Sequence, residues 1–412
     1  MNFVFISPNF PLNYYHFVVA LKRNGVNVLG IGDAPYNNLC QELKDNLTEY
    51  YYIPDLKNYP ELVKAMGYFT YRYGKIDWVD SLNEYWLETD AKLRSDFNIT
   101  TGLKADEISR YKLKSEMKKY YQKANVITAK WHIVDTKQGC LDFINEVNYP
   151  VIVKPNNGVG AFDTYKLDNN YQLDEFFKNK RDVEYIMEEY IDGYIRTFDG
   201  ISDSNAKPIY TCGHVETDSL MDCVNLAHSV WYYVAKEIPA NLQKAGENVI
   251  KAFKAKNRFF HLEFFIANST KKGRWNKGDV IGLEVNMRAP GGYTVDMENF
   301  SGSVDMYQIW ADMIAFNENR HFKNNTRQYC CYIAQRNNRQ YVHNHNDVMN
   351  KYGAIMKMVG DIPPSIADEL GDNYYMANFD NFESMKDFAK YCLEEQNYEG
   401  DIKIDNIEYD LY

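Results

Sequence analysis

The stretch Ile281-Gly-Leu-Glu-Val-Asn-Met-Arg-Ala-Pro-Gly-Gly292 alternates polar and apolar residues before it ends in a proline–glycine turn. Successive side chains of a β-strand point to opposite faces, so the alternation predicts a strand with one polar and one apolar face. The polar face carries Glu284, Asn286 and Arg288, and the apolar face carries Leu283, Val285 and Met287. The apolar face predicts burial, which leaves the polar face for chemistry.

A second stretch with the same alternation precedes it, His261-Leu-Glu-Phe-Phe-Ile266. In a strand, His261 and Glu263 share a face, and Leu262 and Phe264 occupy the other. If the two strands pair, two carboxylates, an amide and a guanidinium meet on one surface. Carboxylate and amide oxygens bind hard cations such as Mg²⁺, and a guanidinium binds phosphate or carboxylate. The two strands together predict a site for a magnesium-bound polyphosphate.

Length and composition limit the class of protein. The 412 residues predict two or three domains, and 45% apolar with 25% charged residues is typical of a globular protein. A net charge of −11 argues against nucleic acid as a partner. The seven cysteines form no CxxC pair and no zinc spacing, which favours free thiols. With no signal-peptide pattern and no apolar run near the about 18 residues of a membrane span, we predict a cytoplasmic protein without a membrane partner.

The amino-terminal region has the pattern of a βαβ unit. A strand at Phe3–Ile6, a helix at Tyr14–Asn24 and a strand at Val26–Ile31 predict a parallel sheet, without the GxGxxG turn of dinucleotide-binding proteins. Ser81-Leu-Asn-Glu84 follows another predicted strand, at the edge where open α/β sheets bind ligands. Glu84 is therefore a candidate substrate contact, although a helix-capping role explains the residue equally well.

A buried lysine marks the middle of the chain. Tyr149-Pro-Val-Ile-Val-Lys-Pro155 is an apolar strand that ends in Lys154, and burying an unpaired ammonium group is costly, so Lys154 requires an anion. Gly158 and Gly160 follow at once and would let a phosphate approach the backbone. By contrast, the Lys-rich helix expected at Ile108–Lys123 is typical of a solvated face, and His214 and His228 are typical of surface histidines.

Four segments in order resemble the ATP-grasp family, most closely its carboxylate–amine ligases of the L-amino acid ligase and biotin carboxylase type. They are Tyr149–Gly160, Glu188-Glu-Tyr-Ile-Asp-Gly193, His261–Phe264 and Glu284–Arg288. The resemblance implies an α/β fold, in part α+β, in which an amino-terminal Rossmann-like parallel-sheet domain precedes a large antiparallel-sheet ATP-binding domain with a small lid. We expect these domains at residues 1–105 and 106–325, with the lid at about 115–187 and a carboxy-terminal α+β extension at 326–412.

The resemblance also implies a role for each site residue. Lys114 and Lys154 would bind ATP phosphates, with Lys112 a rival to Lys114, and Gly158 and Gly160 would cover the triphosphate. Adenine would be held by Glu188, Glu189, Tyr190 and Ile191, and Asp192 would be a further ATP contact. Glu263, Glu284 and Asn286 would be the metal ligands, and Arg288, together with Lys154, would be catalytic. Ile195 stands where the family usually has a ribose-binding glutamate, so the ribose contact would come from Asp192 or Asp199.

The implied activity is ATP-dependent ligation, in which a small carboxylate becomes an acyl phosphate and an amine attacks it to form an amide or peptide bond, with release of ADP and phosphate. ATP and one or two Mg²⁺ ions, or Mn²⁺ instead, would be the cofactors. The partners would be the small carboxylate and amine substrates, and a homodimer is compatible with the family. A carboxylase that uses carboxyphosphate, or a non-catalytic ATP-binding protein on the same fold, are the alternatives.

Overall fold

The structure is a computed structural model, which describes residues 1–158, 162–217, 228–320, 327–364 and 366–396. Gly160, predicted to cover the triphosphate, lies outside these residues. The described strands form three sheets, of four, four and ten strands. The polar face predicted from the sequence belongs to the ten-stranded sheet.

The amino-terminal sheet is parallel, as the βαβ pattern predicted. Its four strands are, in spatial order, Glu49–Tyr52, Asn27–Gly32, Asn2–Ile6 and Trp78–Asp80. The helices of this region are Tyr15–Arg23, Gln41–Asn46, Tyr59–Tyr73 and Leu87–Asp96, with 3₁₀ turns at Leu12–Tyr14, Tyr36–Asn38 and Glu84–Trp86. Both faces of the sheet are covered, which explains the unbroken apolar run of the central strand, Phe3–Ile6.

A second sheet, here called the lid sheet, is small and antiparallel. Its strands are Trp131–Ile133, Tyr185–Glu189, Val151–Pro155 and Tyr165–Leu167, in that spatial order. The helices Lys137–Val147 and Asn170–Asn179 pack against it through a shared apolar cluster. Its other face therefore remains available for the polar side chains of the strand Tyr185–Glu189.

The central sheet has ten strands, and its pairings are antiparallel except that of Ile127–Thr128 at one edge. From the other edge the order is Met356–Asp361, Asn373–Phe379, Tyr329–Gln335, Val230–Val234, His214–Glu216, Gly193–Ser202, Arg258–Ala267, Val280–Asn286 and Ile127–Thr128, and Pro208–Cys212 pairs beside Gly193–Ser202. The helices Lys114–Lys123 and Ala240–Phe253 cover its apolar face at the strands of the predicted site. The polar residues of those strands lie on the opposite face.

The strands after residue 326 extend this sheet, because Tyr329–Gln335 pairs with Val230–Val234 along five residue pairs. The helices His345–Tyr352 and Phe382–Leu393 pack on one face of that extension, and Thr294–Gly302 contacts the other. A short helix, Ala367–Leu370, and a 3₁₀ turn, Gly353–Ile355, complete the described elements. The division of the chain at residues 105 and 325 stays a prediction.

Two helical segments of the chain are each interrupted. The Lys-rich segment forms the helices Ser109–Lys112 and Lys114–Lys123, separated by an extended Leu113, because the amide of Lys114 bonds the carbonyl of Asn156. The helical segment that follows the proline–glycine turn likewise forms two helices, Thr294–Gly302 and Met306–Phe316. The first of these two ends at Ser303 in the left-handed region, and Asp305 caps the second. Among the described residues no helix has the length and apolarity to cross a membrane.

Candidate active site

The strands Arg258–Ala267 and Val280–Asn286, which carry the predicted polar face, pair with each other. Glu263 lies directly opposite Glu284, and His261 lies opposite Asn286. Asn286 Nδ2 donates a hydrogen bond of 3.0 Å to Glu263 Oε1, which leaves the Asn286 oxygen available. A register shift follows Glu263, which increases the local twist of the strand. Strand pairing therefore brings the three residues predicted as metal ligands onto one surface.

Tyr121 fixes this surface from the apolar side of the sheet. Its hydroxyl donates to the carbonyl of Glu284 at 2.9 Å. Its ring packs so closely on Gly282 that a Cβ atom added to this glycine would lie 2.5 Å from a ring carbon. Burial raises the pKa of Tyr121 well above its usual range, with the nearby carboxylates adding to the effect, so the hydroxyl stays protonated and donates. Gly282 thus has a packing requirement that the alternating pattern alone did not indicate.

Lys114 reaches the same surface from the helix Lys114–Lys123. Its ammonium lies 3.0 Å from Glu284 Oε1 and donates to the carbonyl of Gly158 at 3.2 Å. The rival lysine, Lys112, points elsewhere and pairs with Glu84 at 2.7 Å. The break at Leu113 separates the two lysines, and it is Lys114 that lies beside the predicted metal ligands.

Glu188 is the anion that Lys154 requires. Lys154 lies 2.9 Å from Glu188 Oε2, and Lys118 lies 2.7 Å from Glu188 Oε1. All three side chains are buried. Burial by itself would raise the pKa of Glu188, but the two ammonium groups more than offset it and lower that pKa to about 2. The expectation that this lysine-rich helix is a solvated face is wrong for Lys118, because the lid sheet covers it.

The segment predicted to hold adenine joins the lid sheet to the central sheet. The carboxylate of Glu189 is held by the amide of Lys130 at 2.8 Å and by Lys271 at 2.8 Å, and it also contacts Arg274. The remaining residues of the segment differ in burial: Ile191 is buried, Tyr190 is exposed, and Asp192 accepts hydrogen bonds from Asn268 and Ser269. The connection between two sheets is thus built from well-anchored residues.

Arg288 and Glu84 come together although about two hundred residues separate them in the sequence. Arg288 Nε lies 3.7 Å from Glu84 Oε2, while Lys112 holds Glu84 Oε1. Glu84 is buried, and within the described part of the chain its Oε2 atom has no hydrogen-bond partner. Glu84 lies in the first turn of the 3₁₀ helix Glu84–Trp86, but the N-cap hydrogen bond belongs to Asn83, whose side chain accepts the backbone amide of Tyr85.

A buried histidine–aspartate network, which sequence reasoning missed, lies behind Glu263. Asp199 Oδ1 lies 2.7 Å from His261 Nδ1, and Asp199 Oδ2 lies 2.9 Å from His214 Nδ1. His214 is 5% exposed, so the surface-histidine expectation is wrong. Burial would lower the pKa of His261, but Asp199 and Glu263 more than offset it and raise that pKa to about 10. Asp199 is fully occupied by this network and does not serve as a ribose contact.

The donor set fits a hard divalent cation. Two carboxylate residues, Glu263 and Glu284, lie opposite each other on paired strands, and the amide group of Asn286 lies beside Glu263 and donates to it through Nδ2. Lys114 already places a positive charge at 3.0 Å from Glu284, which shows that the geometry accommodates a cation against that carboxylate. Oxygen-only ligands of this kind are those that Mg²⁺ takes when it is shared with phosphates.

No family model matches the chain. One curated relative, the arginine-specific carbamoyl phosphate synthase large chain of Bacillus subtilis (strain 168), is 24% identical over 165 residues, which are 39% of this chain and 15% of that protein. The chain therefore matches only about a sixth of that relative's length.

Solved structures match over nearly the whole chain. The L-amino acid ligase from Bacillus licheniformis has a TM-score of 0.69 at 15% identity, covering 94% of this chain and 96% of that one. N5-carboxyaminoimidazole synthetase from Staphylococcus aureus, complexed with ADP, has a TM-score of 0.68 at 12% identity, covering 94% and 95%. The biotin carboxylase domain of Hydrogenobacter thermophilus 2-oxoglutarate carboxylase, with MgADP and bicarbonate, has a TM-score of 0.66 at 17% identity, covering 93% and 88%.

These likenesses establish the class of fold. The chain has the ATP-grasp fold, as its four motifs predicted, with the parallel sheet, lid sheet and large antiparallel sheet in the expected order. Within that class, the structures it matches are named as an L-amino acid ligase, a carboxyaminoimidazole synthetase and a biotin carboxylase domain.

Proposed function

We propose that the protein is an ATP-dependent ligase. The γ-phosphoryl group of ATP would pass to a small carboxylate, which forms an acyl phosphate and releases ADP, and an amine would then displace phosphate to form an amide or peptide bond. The observation that carries this proposal is the convergence of Glu263, Glu284 and Asn286 with Lys114 on one face of the central sheet. The likeness to an L-amino acid ligase over 94% of the chain supports it.

Electrostatics dominates this chemistry. A carboxylate must approach an already anionic triphosphate, and two unit charges about 4 Å apart repel by about 4 kcal/mol at an effective dielectric constant near 20. Glu263, Glu284 and Asn286 would hold one or two Mg²⁺ ions, or Mn²⁺, which screen that repulsion and polarise the transferred phosphoryl group. Lys114 would exchange its contact with Glu284 for one with phosphate.

The remaining nucleotide contacts follow the cleft between the lid sheet and the central sheet. Lys154 would contact phosphate from the lid, beside Gly158. Adenine would lie against the connecting segment Glu188–Asp192, where the backbone and Tyr190 are the available groups because the carboxylates of Glu188 and Glu189 are paired with cations. Asp192 is then the remaining candidate for the ribose contact.

Arg288 and Glu84 would position the carboxylate substrate and the group attached to it. The positive charge of Arg288 would stabilise an acyl phosphate. It would also stabilise the negative charge that develops on the substrate as the amine attacks. Glu84 Oε2, which has no hydrogen-bond partner among the described residues, can accept a hydrogen bond from a substrate N–H or O–H group. No nucleophilic side chain is needed, since positioning and charge stabilisation account for phosphoryl transfer.

The test is phosphate release from ATP and Mg²⁺ with a panel of amino acids and other small carboxylates and amines. We expect Glu284→Ala to lower the rate at least about 100-fold, in line with loss of transition-state charge stabilisation. Glu146→Ala is the matched control, because that glutamate pairs with Lys130 on the surface of the lid. Equal rates in Glu284→Ala and the native protein would refute the site.

Two outcomes of the same assay separate the alternatives. Phosphate release that depends on bicarbonate rather than on an amine would indicate a carboxylase that uses carboxyphosphate, for which the similarity to the biotin carboxylase domain is the supporting observation. Nucleotide binding without phosphate release under any substrate would indicate a non-catalytic ATP-binding protein. A homodimer is part of the proposal and is checked by the molar mass in solution.

A further inference from the structure

We propose that His261, held in place by Asp199, is a positioning residue that orients the Glu263 carboxylate toward the divalent cation. This inference rests on the proposed function, because it assumes that Glu263 is a metal ligand. It assigns a task to the buried network of Asp199, His214 and His261, which none of the nucleotide or substrate contacts uses.

The hydrogen bonds on Glu263 are strongly asymmetric. Its Oε1 atom faces two donors, His261 Nε2 at 3.2 Å and Asn286 Nδ2 at 3.0 Å. Over the described residues, no hydrogen bond or ion pair to its Oε2 atom is present. A carboxylate with one oxygen bonded by two fixed donors cannot rotate freely, so the other oxygen is directed to a cation.

The imidazole ring of His261 is itself immobilised. Its Nδ1 atom lies 2.7 Å from Asp199 Oδ1, and Asp199 Oδ2 is bonded by His214 Nδ1 at 2.9 Å and by the Thr197 hydroxyl at 2.5 Å. These four residues are each at least nine-tenths buried. Since both ring nitrogens of His261 face carboxylates, rotation of the ring would break two hydrogen bonds in a dry interior.

Residues that orient metal ligands from outside the coordination shell change metal affinity by about 10-fold to 100-fold when they are replaced. The network fits that role because His261 contacts Oε1 of the proposed ligand Glu263 and lies opposite Asn286 on the neighbouring strand. Its burial excludes direct contact with substrate. A merely structural role would lower stability without changing the affinity for the cation, and the two roles can be measured apart.

Two substitutions of His261 test its contacts with Asp199 and Glu263 separately. An Asn amide at this position can reach Asp199 in place of Nδ1 but falls short of Glu263, whereas a Gln amide can reach Glu263 in place of Nε2. We expect His261→Asn to weaken Mn²⁺ binding to the ADP-saturated protein by about 10-fold or more, and His261→Gln to weaken it less. Electron paramagnetic resonance of free Mn²⁺ gives the dissociation constant, and ADP affinity without metal should be the same in all variants.

The matched control is His343→Asn, because His343 Nε2 also pairs with a glutamate, Glu394 at 3.3 Å, in the carboxy-terminal region. It should leave Mn²⁺ affinity unchanged. If His261→Asn does not fold, Asp199→Asn replaces it, since the ring then loses its charged anchor and the same weakening is expected. Native Mn²⁺ affinity in the folded variant of this pair would overturn the inference.

A further variant distinguishes failure of this inference from failure of the proposed function. Glu284→Gln removes a proposed ligand without touching the histidine network. Weakened Mn²⁺ binding in Glu284→Gln with native binding in His261→Asn would reject the positioning role alone. Native Mn²⁺ binding in Glu284→Gln would instead reject the metal site on which both proposals rest.

Discussion

Replacing Glu188 by Gln isolates the ion-pair cluster that joins the lid sheet to the helix Lys114–Lys123. The carboxylate lies 2.7 Å from Lys118 and 2.9 Å from Lys154, and all three side chains are buried. Gln keeps the shape of the side chain and removes its charge. Two ammonium groups then remain in the interior without the carboxylate that lay between them, which is the costly way to disrupt a buried ion pair.

The expected loss follows from the pKa of the group. The two lysines, working against burial, lower the pKa of Glu188 from its ordinary 4.5 to about 2, which corresponds to about 3 kcal/mol of stability at neutral pH. That value agrees with the loss of stability of about 3–5 kcal/mol that follows removal of one partner of a buried ion pair. Because the pKa is lowered on folding, this stabilisation is complete above pH 4.5 and is lost as the pH falls toward 2.

Urea denaturation at pH 7, followed by circular dichroism, measures this difference. Glu146→Gln is the matched control, since its partner Lys130 lies at 2.6 Å but both side chains are substantially exposed. We expect Glu188→Gln to lose about 3 kcal/mol and Glu146→Gln less than about 1 kcal/mol. Similar losses in the two variants, or a loss below about 1 kcal/mol in Glu188→Gln, would refute the reasoning about burial.

Two further predictions concern packing and thiol reactivity. Gly282→Ala should destabilise the protein by about 1–3 kcal/mol, because the added methyl group meets the Tyr121 ring. Gly67→Ala, in an uncrowded helix position, should instead stabilise it by up to about 1 kcal/mol. Thermal melting compares the two variants, and equal melting temperatures would contradict the close packing at Gly282. Burial raises the pKa of the Cys140 thiol to about 11, while Cys40 is exposed, so alkylation at pH 8 mapped by mass spectrometry should label Cys40 before Cys140. Faster labelling of Cys140 would contradict its burial.

Much of the site follows from local sequence patterns. Strand alternation placed Glu263, Glu284 and Asn286 on shared faces, and the pairing of the two strands brought those faces together. An apolar strand ending in Lys154 required an anion, and Glu188 of the neighbouring strand meets it. These predictions succeed because the period of a strand and the cost of an unpaired buried charge are local properties.

Other features have no local signal. Lys118 has the sequence context of a solvated lysine, yet the lid sheet buries it against Glu188. Lys114 and Lys118 lie four residues apart and so share a helix face, but this spacing does not indicate which face is covered. The break at Leu113 likewise depends on a backbone hydrogen bond to Asn156, more than forty residues away.

The sequence by itself determined the periodicity of the strands, the parallel amino-terminal sheet and the set of polar residues on the central face. Only the tertiary structure decided which partner each residue has. Lys112 pairs with Glu84 and not with the proposed metal ligands, and Arg288 lies beside Glu84 as well. Asp199 bonds two histidines, which leaves it no oxygen for a ribose. The reason is physical. The two-residue repeat of a strand sets the face on which a side chain lies. The partner of that side chain depends on how distant segments pack, and those segments meet only when the sheets form.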